Sequence, residues 1–201
     1  MFARATKPTE PLKALLFHRN EARAAIIRDG LSRAGCMTAG AVSALDGIVQ
    51  RVVRDGVGIL LVDLERPGAA ELAAVLQVVR VVDRPVIVFV DRSGSDMTRA
   101  AVEAGVSAYI VDDLRPERIP PIIDMATTRF AVLSRLHGEL ARTRQALADR
   151  KVIDRAKGLL MARKGLSEDE AYQLLRRTAM NRERRIIDVA QNVIDTAILL
   201  D

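Results

Sequence analysis

From Leu12 to Val111 the chain repeats one alternation: a short aliphatic run, then a stretch whose apolar residues recur every three to four positions. The runs are Leu12–Phe17, Met37–Ala41, Gly58–Asp63, Pro85–Val90 and Ala108–Val111. Helical patterns lie between them at Glu21–Arg33, Ser43–Asp55, Ala69–Val79 and Ser95–Ala104. Ile-Leu-Leu-Val and Val-Ile-Val-Phe-Val have no polar position, so those strands have no face to give to water. Strands buried on both faces and separated by helices call for a parallel sheet with helices on either side. The spacing predicts an α/β, flavodoxin-like (βα)5 domain over residues 12–125.

Ligands of such sheets bind beyond the carboxyl ends of the strands. The residues there are His18, Arg19 and Asn20, then Asp63, Val90 with Asp91, and Asp112 with Asp113. The segment ILLVDLERPG, with Asp63 closing the third strand, and EAGVSAYIV, leading into the fifth, resemble the receiver domain of two-component response regulators. That resemblance implies Asp63 as the phosphoryl-acceptor position. It also implies an acidic pair after the first strand to hold Mg²⁺, a hydroxyl residue after the fourth and a Lys after the fifth. This chain has His18 and Arg19, Val90 and Asp112 at those positions. Basic side chains in place of two carboxylates cannot readily gather Mg²⁺, on which phosphoryl transfer depends. The expectation is a degenerate pseudo-receiver in which Asp63 is not phosphorylated and Arg19 or His18 pairs with Asp63 or Asp112.

After Pro120-Pro121 no proline or turn cluster interrupts the chain until Gly165. Over a connector at 126–148, Leu133, Leu136, Leu140, Thr143 and Leu147 recur at spacings of three and four, a heptad-like seam. Gly138 falls off the seam and weakens the helix locally. The seam can bury itself against the N-terminal domain or pair with a second chain as a short coiled coil. The expectation taken forward is a homodimer through Leu133, Leu136, Leu140 and Leu147.

Residues 149–201 carry three further helical patterns, Asp149–Lys164, Ser167–Met180 and Arg184–Leu200, each with one apolar stripe. Three such stripes bury one another in a three-helix bundle. Gly165 suits the left-handed position past the first helix, and Ser167 with Glu170 forms an S-x-x-E capping box. The formal charge of the chain is +5, but Arg150–Arg185 alone holds eleven Lys/Arg against five Asp/Glu, a net +6. The basicity is local and points to an anionic partner for this module.

Ala156-Lys157-Gly158-Leu159-Leu160-Met161, followed by Glu170-Ala171-Tyr172, Leu175-Arg176 and Ala179-Met180, resembles the ANTAR domain of bacterial antitermination regulators. The three-part arrangement resembles AmiR- and NasT-type regulators, and the receiver residues fit the nitrate-assimilation group. The resemblance implies a protein that binds paired stem-loops in an mRNA leader and disfavours a terminator hairpin. It also implies a nitrate- or nitrite-sensing partner protein. Lys157 and Tyr172 carry over from the motif as RNA-binding residues. Arg155, Arg163, Arg176 and Arg177 are added for charge and position, and loop bases can stack on a Tyr or an Arg plane. Gly158 stands beside them as a candidate contact, with close helix packing the favoured role, and Met161 and Met180 are expected in the core. Two other readings stay open: a DNA-binding response regulator and a protein-interaction adaptor.

Composition narrows the rest. One cysteine, Cys36, excludes an internal disulfide and reads as a small apolar filler at a strand start. The two histidines, His18 and His137, have no acidic cluster around both, so no metal site, catalytic triad or cofactor is expected. The chain is expected not to be an enzyme. Residues 1–11 read as a flexible tail, and no apolar run approaches the ~20 residues that span a bilayer. A cytoplasmic protein without a membrane partner is expected.

Overall fold

The computed structural model describes residues 11–199, so the tail expected at 1–11 lies almost entirely outside the described residues. The chain divides into two compact units, Met1–Ser134 and Arg135–Asp201.

The first unit is a five-stranded parallel sheet of β1 (Lys13–Phe17), β2 (Met37–Val42), β3 (Ile59–Glu65), β4 (Val86–Val90) and β5 (Ala108–Val111) in the order β2-β1-β3-β4-β5. Between the strands lie α1 (Glu21–Arg33), α2 (Ile48–Arg54), α3 (Ala69–Val81) and α4 (Ser95–Glu103). The expected α/β flavodoxin-like layer is present. Alternate residues feed two separate cores because successive side chains leave opposite faces of a strand. Leu15, Phe17, Leu60, Val62, Val86 and Val88 join one core with Ile48, Leu72 and Val75. Ala14, Leu16, Ile59, Leu61, Ile87 and Phe89 join the other with Ala24, Ile27, Leu31, Ile119 and Ile123. This two-sided burial explains strands without a polar position. At Gly30, an added Cβ would lie 2.5 Å from the Ile119 side chain, so a glycine permits the close approach of α1 to the residues following β5. Cys36 precedes β2 rather than starting it; it packs half-buried on the second core, and burial pushes its thiol up.

The start of α2 differs. Residues 43–47 were expected to open a helix at Ser43, yet α2 begins at Ile48 after Gly47, whose φ of +72° is left-handed and cannot continue a helix.

A one-turn 3-10 helix (Pro116–Arg118) leads into α5 (Ile119–Lys164), a single helix of 46 residues. The boundaries expected at 125/126 and 148/149 both fall inside it, so the Asp149–Lys164 pattern is the end of α5 and not a separate helix. Pro120 and Pro121 sit in its first turn, where their missing N–H groups cost nothing. Gly138 costs only about 1 kcal/mol and does not break it. Leu133, Leu136, Leu140 and Leu147 are all exposed on this helix. Two helices complete the chain, α6 (Glu168–Asn181) and α7 (Ile186–Leu199). No helix among the described residues is long and apolar enough to cross a membrane.

Candidate nucleic-acid interface

The second unit is built as its stripes require. Ala156 and Leu160 of α5, Ala171, Leu175 and Ala179 of α6, and Val189, Ala190 and Ile194 of α7 form one buried cluster. Gly165 takes φ +67° and its N–H donates to the Met161 carbonyl at 3.0 Å, ending α5. The Ser167 hydroxyl accepts from the Glu170 N–H, and the Glu170 carboxylate accepts from the Ser167 N–H at 2.8 Å, so the capping box starts α6. The Ser167 N–H, and its hydroxyl donating to the same Glu170 oxygen at 2.9 Å, hold the Glu170 carboxyl below its ordinary range. Past α6, Glu183 is left-handed and the Arg184 N–H reaches back to the Ala179 carbonyl at 3.0 Å.

At the surface of this bundle, Lys157 Nζ lies 2.7 Å from Asp154 Oδ1, one turn earlier on α5, and 2.7 Å from Glu168 Oε1, the first residue of α6. The two carboxylates, Asp154 first, push the ammonium above its ordinary value, and Lys157 in turn lowers Asp154. The Lys157 side chain is only 14% exposed. Beside it opens a cleft of about 240 Å³ lined by Arg150, Asp154, Lys157, Gly158, Met161 and Glu168. Four residues beyond Glu168, Tyr172 is 41% exposed on α6, followed by exposed Arg176 and Arg177. Those two arginines and Arg155 have no ion-pair partner among the described residues, whereas Arg163 donates to the Ala197 carbonyl at 3.1 Å.

At the carboxyl ends of the strands in the first unit, Asp63 is buried and its carboxylate is held by Arg23. Nε donates to both oxygens at 3.0 and 2.9 Å and Nη2 to Oδ1 at 2.7 Å, while Nη1 donates to Asp91. A bulge between Asp63 and Glu65, with Glu65 at φ +52°, bends the end of β3 here. The Asn20 side-chain amide donates to Glu65 while its oxygen caps α1, placing Arg23 in the first turn above Asp63.

The ANTAR domain profile matches residues 141–194. The transcriptional regulatory protein PdtaR of Mycobacterium tuberculosis is 30% identical over 138 residues, covering 69% of this chain and 67% of the relative. The chain belongs to the ANTAR-domain regulators. Two further relatives are the nitrate regulatory protein of Klebsiella oxytoca, 37% identical over 33% of this chain and 17% of its own length, and the aliphatic amidase regulator of Pseudomonas aeruginosa, 30% identical over 46% and 47%. Among solved structures, the receiver domain of a modulated diguanylate cyclase from Desulfovibrio desulfuricans aligns with a TM-score of 0.52 at 17% identity, over 61% of this chain and 98% of its own. A CheY-like receiver domain from Methanospirillum hungatei gives 0.52 at 15% over the same shares. These likenesses give the first unit its receiver-like fold.

Within the ANTAR module the structure brings Lys157 and Gly158 to one cleft and puts Tyr172, Arg176 and Arg177 together on α6. Arg163 is placed instead at the carbonyl end of α7, the usual cation position for a helix C-terminus. Three expectations are corrected. A Cβ at Gly158 would meet nothing within 4 Å, so the glycine does not serve packing within the chain; it faces outward. Met161 and Met180 are exposed, Met180 to 69%, because their positions fall outside the Leu and Ala stripes.

In the receiver-like unit the expected charge lock exists but is made by other residues. Arg19 is exposed and pairs with Glu71 at 2.9 Å, and His18 Nε2 stands 3.7 Å from Glu21. Arg23, not weighed from the sequence, reaches Asp63 because Asn20 caps α1 and puts Arg23 in its first turn at the strand ends, whereas Arg19 precedes the helix. A basic residue in the first turn of a helix that opens at the carboxyl ends of the strands was the available signal. Val90 is core, and Asp112 takes φ +52° with its N–H donating to the Val90 carbonyl at 3.0 Å.

Proposed function

We propose that this chain is a non-enzymatic, cytoplasmic, RNA-binding antitermination regulator. Its ANTAR module holds paired stem-loops in an mRNA leader and so disfavours a competing terminator hairpin. The observation that carries the reading is the outer face of α6, where exposed Tyr172 precedes Arg176 and Arg177, two cations without an ion-pair partner among the described residues. An aromatic ring for a splayed base beside guanidinium groups for phosphates is what loop recognition in RNA requires.

Similarity to the nitrate regulatory protein supports nitrate or nitrite assimilation genes as the target. The exposed leucines of α5 pair two copies, which places two ANTAR modules for two stem-loops. With Asp63 held by Arg23, control passes to a partner protein that senses nitrate or nitrite and masks the RNA surface or the seam.

Binding of stem-loop RNA and of duplex DNA of the same sequence, titrated across salt, tests this. Four to six phosphate contacts give a log–log salt slope of roughly −3 to −5 for the RNA. Tight duplex binding indifferent to the loops favours a DNA-binding regulator, although α7 has no Lys or Arg and its Gln191 is bonded to Asp195. Binding to neither favours a protein-interaction adaptor.

A further inference from the structure

We infer that Lys157 serves RNA binding as a positioning residue without touching phosphate: its bridge from Asp154 to Glu168 fixes the first turn of α6 against α5 and so sets where Tyr172 stands. The inference rests on the RNA-binding reading above and assigns a role within that surface.

Two of the three ammonium donors are already used, each at 2.7 Å from a carboxylate. Lys157 and Arg150, which stands 3.9 Å from Asp154, balance the two carboxylates, so the cluster carries no net charge and is not a cationic point on the surface. A phosphate arriving at Nζ would find one donor left and would stand beside two carboxylates that repel it. The bridge instead acts between helices. Glu168 is the first residue of α6, and Tyr172, four positions on, occupies the same face one turn later. Moving Glu168 therefore moves the ring. Outward-facing Gly158 leaves the cleft beside the bridge open.

The two roles differ in sign. If Glu168 were only a negative charge near a polyanion, Glu168→Gln would tighten RNA binding. If it anchors the bridge, the same change weakens it.

The test uses the full chain and an RNA of two short stem-loops, selected from a loop-randomised pool against the wild type. Lys157→Met and Glu168→Gln are each expected to lower affinity about tenfold, the order of a weakened base stack, with the salt slope unchanged. Arg176→Gln is the control and reduces the slope by about 0.7 to 0.9. In a Tyr172→Ala background, Lys157→Met costs nothing further, because both changes remove one arrangement. Helical content by circular dichroism shows that each variant folds; if Lys157→Met does not, Glu168→Gln alone decides. The inference is overturned if Lys157→Met reduces the slope as Arg176→Gln does, if Glu168→Gln tightens binding, or if the Lys157 and Tyr172 losses add. A wild-type chain that retains no RNA from the pool overturns the RNA-binding reading itself.

Discussion

Arg23 grips both carboxylate oxygens of Asp63 and extends its remaining nitrogen to Asp91, tying α1 to the ends of β3 and β4. A guanidinium thus supplies the positive charge that a receiver takes from a metal ion, with no carboxylate pair after β1 to recruit one.

Asp63 is expected to resist phosphorylation: a small phosphodonor with Mg²⁺ leaves the intact mass of the protein unchanged. Arg23→Ala strands a buried carboxylate and should destabilise the N-terminal unit by about 3 kcal/mol. Denaturant unfolding measures this, and a loss below 1 kcal/mol would show that the grip is not structural.

The α5 seam predicts that the wild type is a dimer and that Leu136→Asp with Leu140→Asp is a monomer. Sedimentation equilibrium distinguishes the two. The double variant should also lose affinity for two linked stem-loops far more than for one, because only paired modules gain from linkage. A monomeric wild type at RNA-binding concentrations would exclude the seam as a dimer contact.

Arg177→Gln should weaken binding to all stem-loop sequences alike and reduce the salt slope by about one. Tyr172→Ala should cost about 1–3 kcal/mol, with little change in slope, and should depend on loop sequence. Fluorescence anisotropy at several salt concentrations separates the two; equal effects on slope would assign Tyr172 no stacking role.

The capping box gives a pH signature. Its bonds to Ser167 depress the Glu170 carboxyl in the folded state. A depressed carboxyl contributes stability above its unfolded value and loses it as pH falls through the folded one. The contribution of Glu170 is therefore expected to fade as pH falls below the carboxyl's unfolded value. Glu170→Gln should flatten the low-pH limb of the thermal unfolding profile, and Ser167→Ala should cost about 1 kcal/mol near neutrality. An unchanged pH profile for Glu170→Gln would remove the carboxylate from the account.

Periodicity and turn chemistry made most of the architecture legible, because the two-sided apolar strands, the Leu and Ala stripes and the Gly165–Ser167 punctuation are local in sequence. Each has one physical solution: a strand without a polar position must be covered on both faces, and a left-handed glycine before a capping box must end one helix and begin the next. The motif likewise fixed which module the C-terminal residues form.

Only the tertiary structure decided how the side chains are employed. Lys157 and Arg163 look like Arg176 in a sequence, each a cation on a helix, but the fold brings Glu168 to the first and the Ala197 carbonyl to the second. Arg23 and Asp63 are forty residues apart in the chain; the first helical turn puts Arg23 near the strand ends, but only the fold shows which carboxylates it meets. Gly158 reads in the sequence as a packing residue, but a Cβ there would meet nothing within 4 Å. A residue's periodicity fixes which face of its own element it occupies; what stands opposite that face comes from other parts of the chain, and the charge, exposure and duty of the side chain follow from it.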